Sequence, residues 1–323
     1  MALLRRRPPS EPLDQDFLDA AADLGNDRIA GYSLYEDYYD GTQNAMLTDR
    51  ARKYLERSGI GFVENFCEPV VDVYAERLAL TGFTLEDKGD GPEADDQAEL
   101  ARWLDGVLQR NRLDGKQQTL HTNAILKGDA FLIVDWSAKL GIPRLTFNRP
   151  DMLKACYCDD EPDTLEWVSK LWSSSASGPQ NEAGRRVMRL NVYYPDRCEK
   201  FFKAGSDAPS AGTGGWARWQ DKGETSWPTP WGTAEEPLGI PVFHFRHKPL
   251  GGTYGRSALR GVIPQQDELN KQILDLMDIL DYQAWPQRWI SGVVADTATI
   301  KPGPGELMIL TAAEARAGQF DAA

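Results

Sequence analysis

The chain has 323 residues, room for one large domain or two. With 41% hydrophobic, 26% charged and 10% aromatic residues, it has the composition of a globular protein with a sizeable core. Lys and Arg number 36 against 49 Asp and Glu, a formal net charge of -13. That balance excludes a protein that grips nucleic acid by neutralising phosphates, though not one that nucleic acid merely passes.

In chain order, the basic run Arg5-Arg6-Arg7 is followed by Pro8-Pro9 and Ser10-Glu11, where a signal peptide needs an apolar stretch. No uninterrupted apolar run reaches the length of a membrane helix, so a cytoplasm-like compartment is expected. Residues 1–30 read as a flexible arm leading into a helix around Leu13–Leu24. Tyr32 to Asp40 is dense in aromatics and closed by Gly41. Apolar residues at near-helical spacing predict a helix over Gly59–Leu80, bent at Pro69. Glu86–Glu99 reads as an acidic surface loop. Helices follow at Gln97–Gln109 and Gln117–Lys127, the second capped by Gly128.

The middle of the chain changes period. Strands are predicted at Ala130–Asp135, Arg144–Asn148, Thr164–Trp172, Val187–Tyr194, Lys200–Lys203 and Pro241–Arg246. Ser/Gly-rich loops separate some of them, at Ser173–Gly184 and Gly205–Gly215. Helices first and a mainly antiparallel sheet after them make an α+β body. In the last third, Ser257 can cap a short turn, and Pro264 either kinks a helix or occupies its first turn. Gln265–Gln283 carries an apolar stripe of Leu269, Ile273, Leu276, Met277 and Leu280. Its other side carries Asp267, Lys271, Asp275, Asp278 and Asp281. Trp285-Pro286 ends this helix. Arg288–Val294 and Glu306–Leu310 are strand-like runs that could pair.

Chemistry is sparse. His244 and His247 face opposite sides of a strand, and all three histidines, with His121, read as structural. Cys156 and Cys158 share a strand face and could help to hold a metal, but no second pair completes the site. Buried free thiols are the favoured reading for these and for Cys67 and Cys198. No Gly-x-Ser-x-Gly, P-loop or His-Glu-x-x-His is present, and no cofactor is implied. Trp216, Trp219, Trp227 and Trp231 crowd one Gly/Pro-broken stretch. A carbohydrate platform in a hydrolytic enzyme is one reading of it. Ordinary packing or a subunit contact is the simpler one.

An ordered series of short motifs carries a resemblance. It begins with Tyr35-x-x-Tyr38-Tyr39-Asp40-Gly41-x-Gln43, then Asn65-Phe66-Cys67-x-x-Val70-Val71-Asp72, Ala75-Glu76-Arg77-Leu78 and Gly82-Phe83. Ala124-x-x-x-Gly128-Asp129-Ala130-Phe131 and Val192-Tyr193-Tyr194-Pro195-Asp196-Arg197 come next. Gly239-Ile240-Pro241-Val242, His244-Phe245, Gly255-Arg256-Ser257 and Gln266-Asp267-Glu268-Leu269-Asn270 close it. Together these resemble the portal proteins of tailed phages with long non-contractile tails.

The resemblance implies a structural, non-enzymatic subunit of a dodecameric ring at one vertex of the virion capsid, assembled in the host cytoplasm. It implies a channel for double-stranded DNA. Its implied partners are the terminase large subunit, the head-tail connector, and the major capsid and scaffold proteins, with no membrane. Residues 31–255 would be the wing, 256–285 the stem helix and 286–323 part of the clip. Asp267, Lys271, Asp275, Asp278 and Asp281 become candidate channel-lining residues, and Trp285, Arg288 and Trp289 candidate contacts to a neighbouring subunit or the terminase. Family members usually continue with a returning stem helix and a crown, which are expected to be absent here. Another virion structural protein with a similar body is the remaining alternative.

Overall fold

A computed structural model describes residues 12–43, 64–82, 94–137, 141–174, 186–204, 215–221, 224, 226–231, 238–284, 288–291 and 316–319. The chain divides into two compact units. Met1–Gln43 with Asn65–Ile263 form the first, and Asn44–Glu64 with Pro264–Ala323 the second.

The first unit opens with helix α1 (Gln15–Ala22), capped by Asp14, whose side chain accepts a bond from the Phe17 amide. Leu18 and Ala21 on its inner side are buried with Leu171, Met188, Leu190, Val192, Phe201 and Trp216. The helix expected around Leu13–Leu24 is thus present, and residues 15–22 belong to the packed core, not to the flexible arm read over 1–30, whose residues 1–11 lie outside the described residues. A two-turn helix with both inner residues dry lies on the sheet because that burial outweighs its freedom.

Helix α2 (Asn26–Tyr39) turns the aromatic-dense segment into a helix, with Tyr32 and Tyr38 buried. Helix α3 spans Cys67–Ala75, shorter than the predicted Gly59–Leu80. Pro69 falls in its first turn, where a missing N–H costs nothing, so it starts the helix and does not bend it. Residues 59–63 of that prediction lie outside the described residues. Helix α4 (Ala94–Asn111) begins inside the predicted acidic loop, whose residues 86–93 lie outside the described residues. Arg112, at φ 53, breaks the helix before α5 (Leu113–Lys127). Asn111 turns that break toward the sheet, since its side-chain nitrogen donates to the Pro143 carbonyl and its oxygen accepts from the Leu145 amide, both at 2.8 Å.

Two antiparallel sheets follow. The smaller has β1 (Asp129–Ser137) at its centre, between β2 (Ile142–Asn148) and β9 (Val242–Arg246). The larger runs β3 (Leu153–Tyr157), β4 (Leu165–Ser174), β5 (Val187–Tyr193), β6 (Arg197–Ala204) and β7 (Ala217–Arg218), with β8 (Thr229–Pro230) also on β6. Phe131, Ile133, Leu153, Ala155, Val168 and Val242 join the two sheets in one apolar cluster. The result is the α+β class read from the sequence. β3, β7 and β8 were not legible there, being two to five residues long and rich in Pro, Lys or Arg.

In the second unit, helix α6 runs Ile263–Ala284 with Pro264 in its first turn, which settles the choice between kink and start. β10 (Arg288–Ser291) pairs antiparallel with β11 (Arg316–Gln319). The partner of the first run is thus 316–319, whereas the expected partner, 306–310, lies outside the described residues.

Candidate functional site

Helix α6 is the element to which the sequence assigns function. At 1.5 Å per residue its 22 residues make a rod about 33 Å long. It is tethered near its start by Gln266, which is 2% exposed and donates from Nε2 to the Glu64 carbonyl at 2.7 Å. Along the rod, Leu269, Ile273, Leu274 and Met277 are half-buried, but Leu276, Ile279 and Leu280 are each more than half exposed. At 100° per residue, Lys271 and Asp275 lie on the side away from Leu276 and Leu280, and both are exposed. Asp267 is half-buried on the same side. Asp278 and Asp281 occupy helix positions that continue that side, and their side chains lie outside the described residues. Arg288 and Trp289 sit on β10, opposite Gln319 and Gly318, with side chains also outside them, as is Trp285 altogether.

The remaining motif residues converge in the first unit, although they are scattered over more than 200 positions. Asn65 donates to the Tyr39 carbonyl at 2.7 Å and accepts from the Cys67 amide at 3.0 Å, so one side chain joins the end of α2 to the start of α3. Tyr39 donates its hydroxyl to Asp72 at 2.9 Å. Gly41, at φ 69, passes close to Asn65, which is why the turn after α2 needs glycine.

A second knot forms around Asp129, which is 1% exposed. One carboxylate oxygen accepts the Tyr32 hydroxyl at 2.6 Å. The other accepts His244 Nε2 at 2.8 Å and the Gly255 amide at 2.7 Å. With Nε2 donating, the neutral His244 ring receives the Tyr157 hydroxyl on Nδ1 at 2.9 Å, and it stacks on Phe131. Burial lowers the His244 pKa, against the pull of Asp129. Burial, reinforced by Asp129, raises that of Tyr32. Gly128 ends α5 at φ 91, and its carbonyl accepts the His247 amide at 2.8 Å. A Cβ on Gly255 would stand 1.9 Å from that same carbonyl oxygen. The Gly128-Asp129 and Gly255-Arg256-Ser257 motifs are therefore two halves of one contact. Arg28, not singled out in the sequence, closes the knot by donating to the Leu24 and Leu153 carbonyls at 2.7 Å and lying over the Tyr254 ring. These bonds hold the body together.

Three of the four tryptophans in the Trp-rich stretch, Trp216, Trp219 and Trp227, are packing. Trp216 and Trp219 are buried, and their ring nitrogens donate to Asp19 and Asp221. Trp227 donates to the Lys200 carbonyl. The four cysteines are free thiols. Burial pushes the Cys198 thiol up to about 12. Among the described residues no group of three His, Cys, Asp or Glu side chains is gathered to hold a metal, and no helix is long and apolar enough to cross a membrane.

No curated protein matches the chain. A family model, that of the SPP1 Gp6-like phage portal protein, matches residues 24–317 and so takes in α2, both knots, the two sheets, α6 and half of β11. With the motif residues at the joints of the fold, and the match covering nearly all of the sequence, the chain belongs to the SPP1 Gp6-like family of phage portal proteins.

Proposed function

We propose that this chain is one subunit of a closed portal ring, dodecameric in its mature form, whose channel passes double-stranded DNA into and out of the capsid. Membership of the family supplies the coarser statement, that of a structural protein of the virion with a part in DNA packaging. The observation that carries the finer one is the two-sided exposure of α6. Leu276 and Leu280 lie open on one side, and Lys271 and Asp275 are exposed on the other, with the exposed Ile279 between the two sides. An apolar stripe left open on one chain is covered when a neighbouring copy packs on it, in a head-to-tail contact that closes into a ring.

The opposite side then lines the channel. Five acids against one lysine along α6 give that wall the sign of the DNA backbone. The repulsion acts over about 8 Å at physiological salt and comes from every side, so the duplex has no preferred place to stick. β10 and the residues around it form the clip that meets the terminase large subunit, with Trp285, Arg288 and Trp289 as contacts. The head-tail connector docks on the finished ring. Packaging assays on rings carrying Asp275→Lys, Asp278→Lys and Asp281→Lys together test this placement. The expected result is normally folded rings that package DNA several-fold more slowly, because the cationic wall holds phosphates. Packaging at the wild-type rate would remove α6 from the channel.

A further inference from the structure

The larger sheet has two unlike faces. Residues alternate along a strand, so Leu171, Leu190, Val192 and Phe201 go to the side covered by α1. Lys170, Trp172, Arg189, Asn191, Tyr193 and Lys200 go to the other. Strand register sets Lys170 opposite Asn191, and Asn191 opposite Lys200, in one cross-strand row. Together with Asp135, Arg144 and Thr146 of the smaller sheet and the Trp231 ring, this face lines a cavity of about 440 Å³.

The cavity's charges do not balance locally. Arg144 has Asp135 at 2.6 Å. Lys200 is bonded to Asp221 and Glu224. Arg189 shares Asp221 at 3.2 Å and lies on the Trp219 ring at 4.0 Å. Among the described residues Lys170 has the Asn148 side-chain oxygen at 2.5 Å and the face of the Trp172 ring at 5.1 Å, but no carboxylate. Burial and the nearby Arg144 lower its pKa.

Among the described residues, three polar atoms lining the same cavity have no hydrogen-bond partner. They are Arg189 Nε and Asn191 Oδ1, in residues 6% and 8% exposed, and Trp231 Nε1. Leaving such groups dry is costly, because each gives up its hydrogen bonds to water without gaining another. Water could satisfy their hydrogen bonds but could not neutralise the charge.

We propose that this cavity is a binding site for a small organic oxyanion, a phosphate or carboxylate carried on an aromatic body. Lys170 and Arg189 take the oxyanion, Trp172 and Trp231 flank the body, and Asn191 accepts a donor from the ligand where it has one. The site lies within the first unit and needs neither α6 nor a ring, so its fate is independent of the portal reading.

Calorimetric titration of the full-length chain with phenyl phosphate, and with inorganic phosphate at equal ionic strength, tests it. One phenyl phosphate should bind per chain, at least tenfold more tightly than inorganic phosphate. Lys170→Met should weaken binding at least tenfold while raising the melting temperature of the unliganded protein, since it removes a half-buried cation with no matching carboxylate among the described residues. Trp231→Leu should weaken phenyl phosphate and spare inorganic phosphate. The proposal is overturned by absent binding, by equal affinity for the two probes, or by unchanged affinity in Lys170→Met.

Discussion

Two residues far apart in the chain, Gly128 and Gly255, are fixed by one another. With only 1.9 Å between a Cβ on Gly255 and the Gly128 carbonyl oxygen, an alanine cannot be accommodated without breaking the backbone bond from His247 to Gly128. Gly255→Ala should therefore lose on the order of 4 kcal/mol of stability or fail to accumulate as folded protein, as urea unfolding of the purified variant would report. Retained wild-type stability would contradict the contact.

His244 makes the second prediction at this scale. Its folded-state pKa lies below 6.5, so the unfolded chain binds the extra proton first, and stability falls as pH drops through 6.5 toward the folded value. Unfolding free energy measured at pH 7.5 and 5.5 should fall more steeply for the wild type than for His244→Gln, which keeps a donor for Asp129 without titrating. Equal slopes would show that His244 does not contribute. Gly128 as a helix end was legible in the sequence, and the structural reading of His244 and His247 agrees with their bonds. Asp129, Arg28 and the Gly128–Gly255 contact were not, because a pairing across 127 positions leaves no local period to read.

Elements were legible in proportion to their length and regularity. The predicted strands over 130–135, 144–148, 164–172, 187–194, 200–203 and 241–246 each coincide with a strand of the two sheets, since alternation over a half-buried surface is a strong signal. The stem-like helix was placed within two residues at its start and one at its end. The helix expected around Leu13–Leu24 is α1, but its seat on the sheet was not legible, because acidic residues surround it. Asp14, Asp16, Asp19 and Asp23 suggest a solvated segment, yet Leu18 and Ala21 alone suffice to seat it. Leu18→Ala should then cost about 3 kcal/mol, the usual range for a fully buried leucine, measured by urea unfolding. A loss below about 0.5 kcal/mol, typical of a surface site, would return α1 to the arm. α3 misled in the other direction, because helical spacing continued past both of its true ends.

At the scale of the whole molecule, the sequence placed the boundary before the long helix at 255/256, and the compact units divide at 263/264. It gave no hint that residues 44–64 belong with the C-terminal unit, since a chain that leaves one unit and returns carries no linker composition to mark it. The net charge of -13 excluded gripping of nucleic-acid phosphates from the outset, and the five acids against one lysine along α6 share its sign.

The open stripe of Leu276, Ile279 and Leu280 is the molecular reason to expect more than one chain in the working particle. Native mass measurement combined with negative-stain imaging of the purified protein tests this most directly. The account predicts a multi-subunit mass and rings with a central hole, lost when Leu276 and Leu280 are replaced by lysine. A single-chain mass at every concentration, with no annular particles, would contradict it.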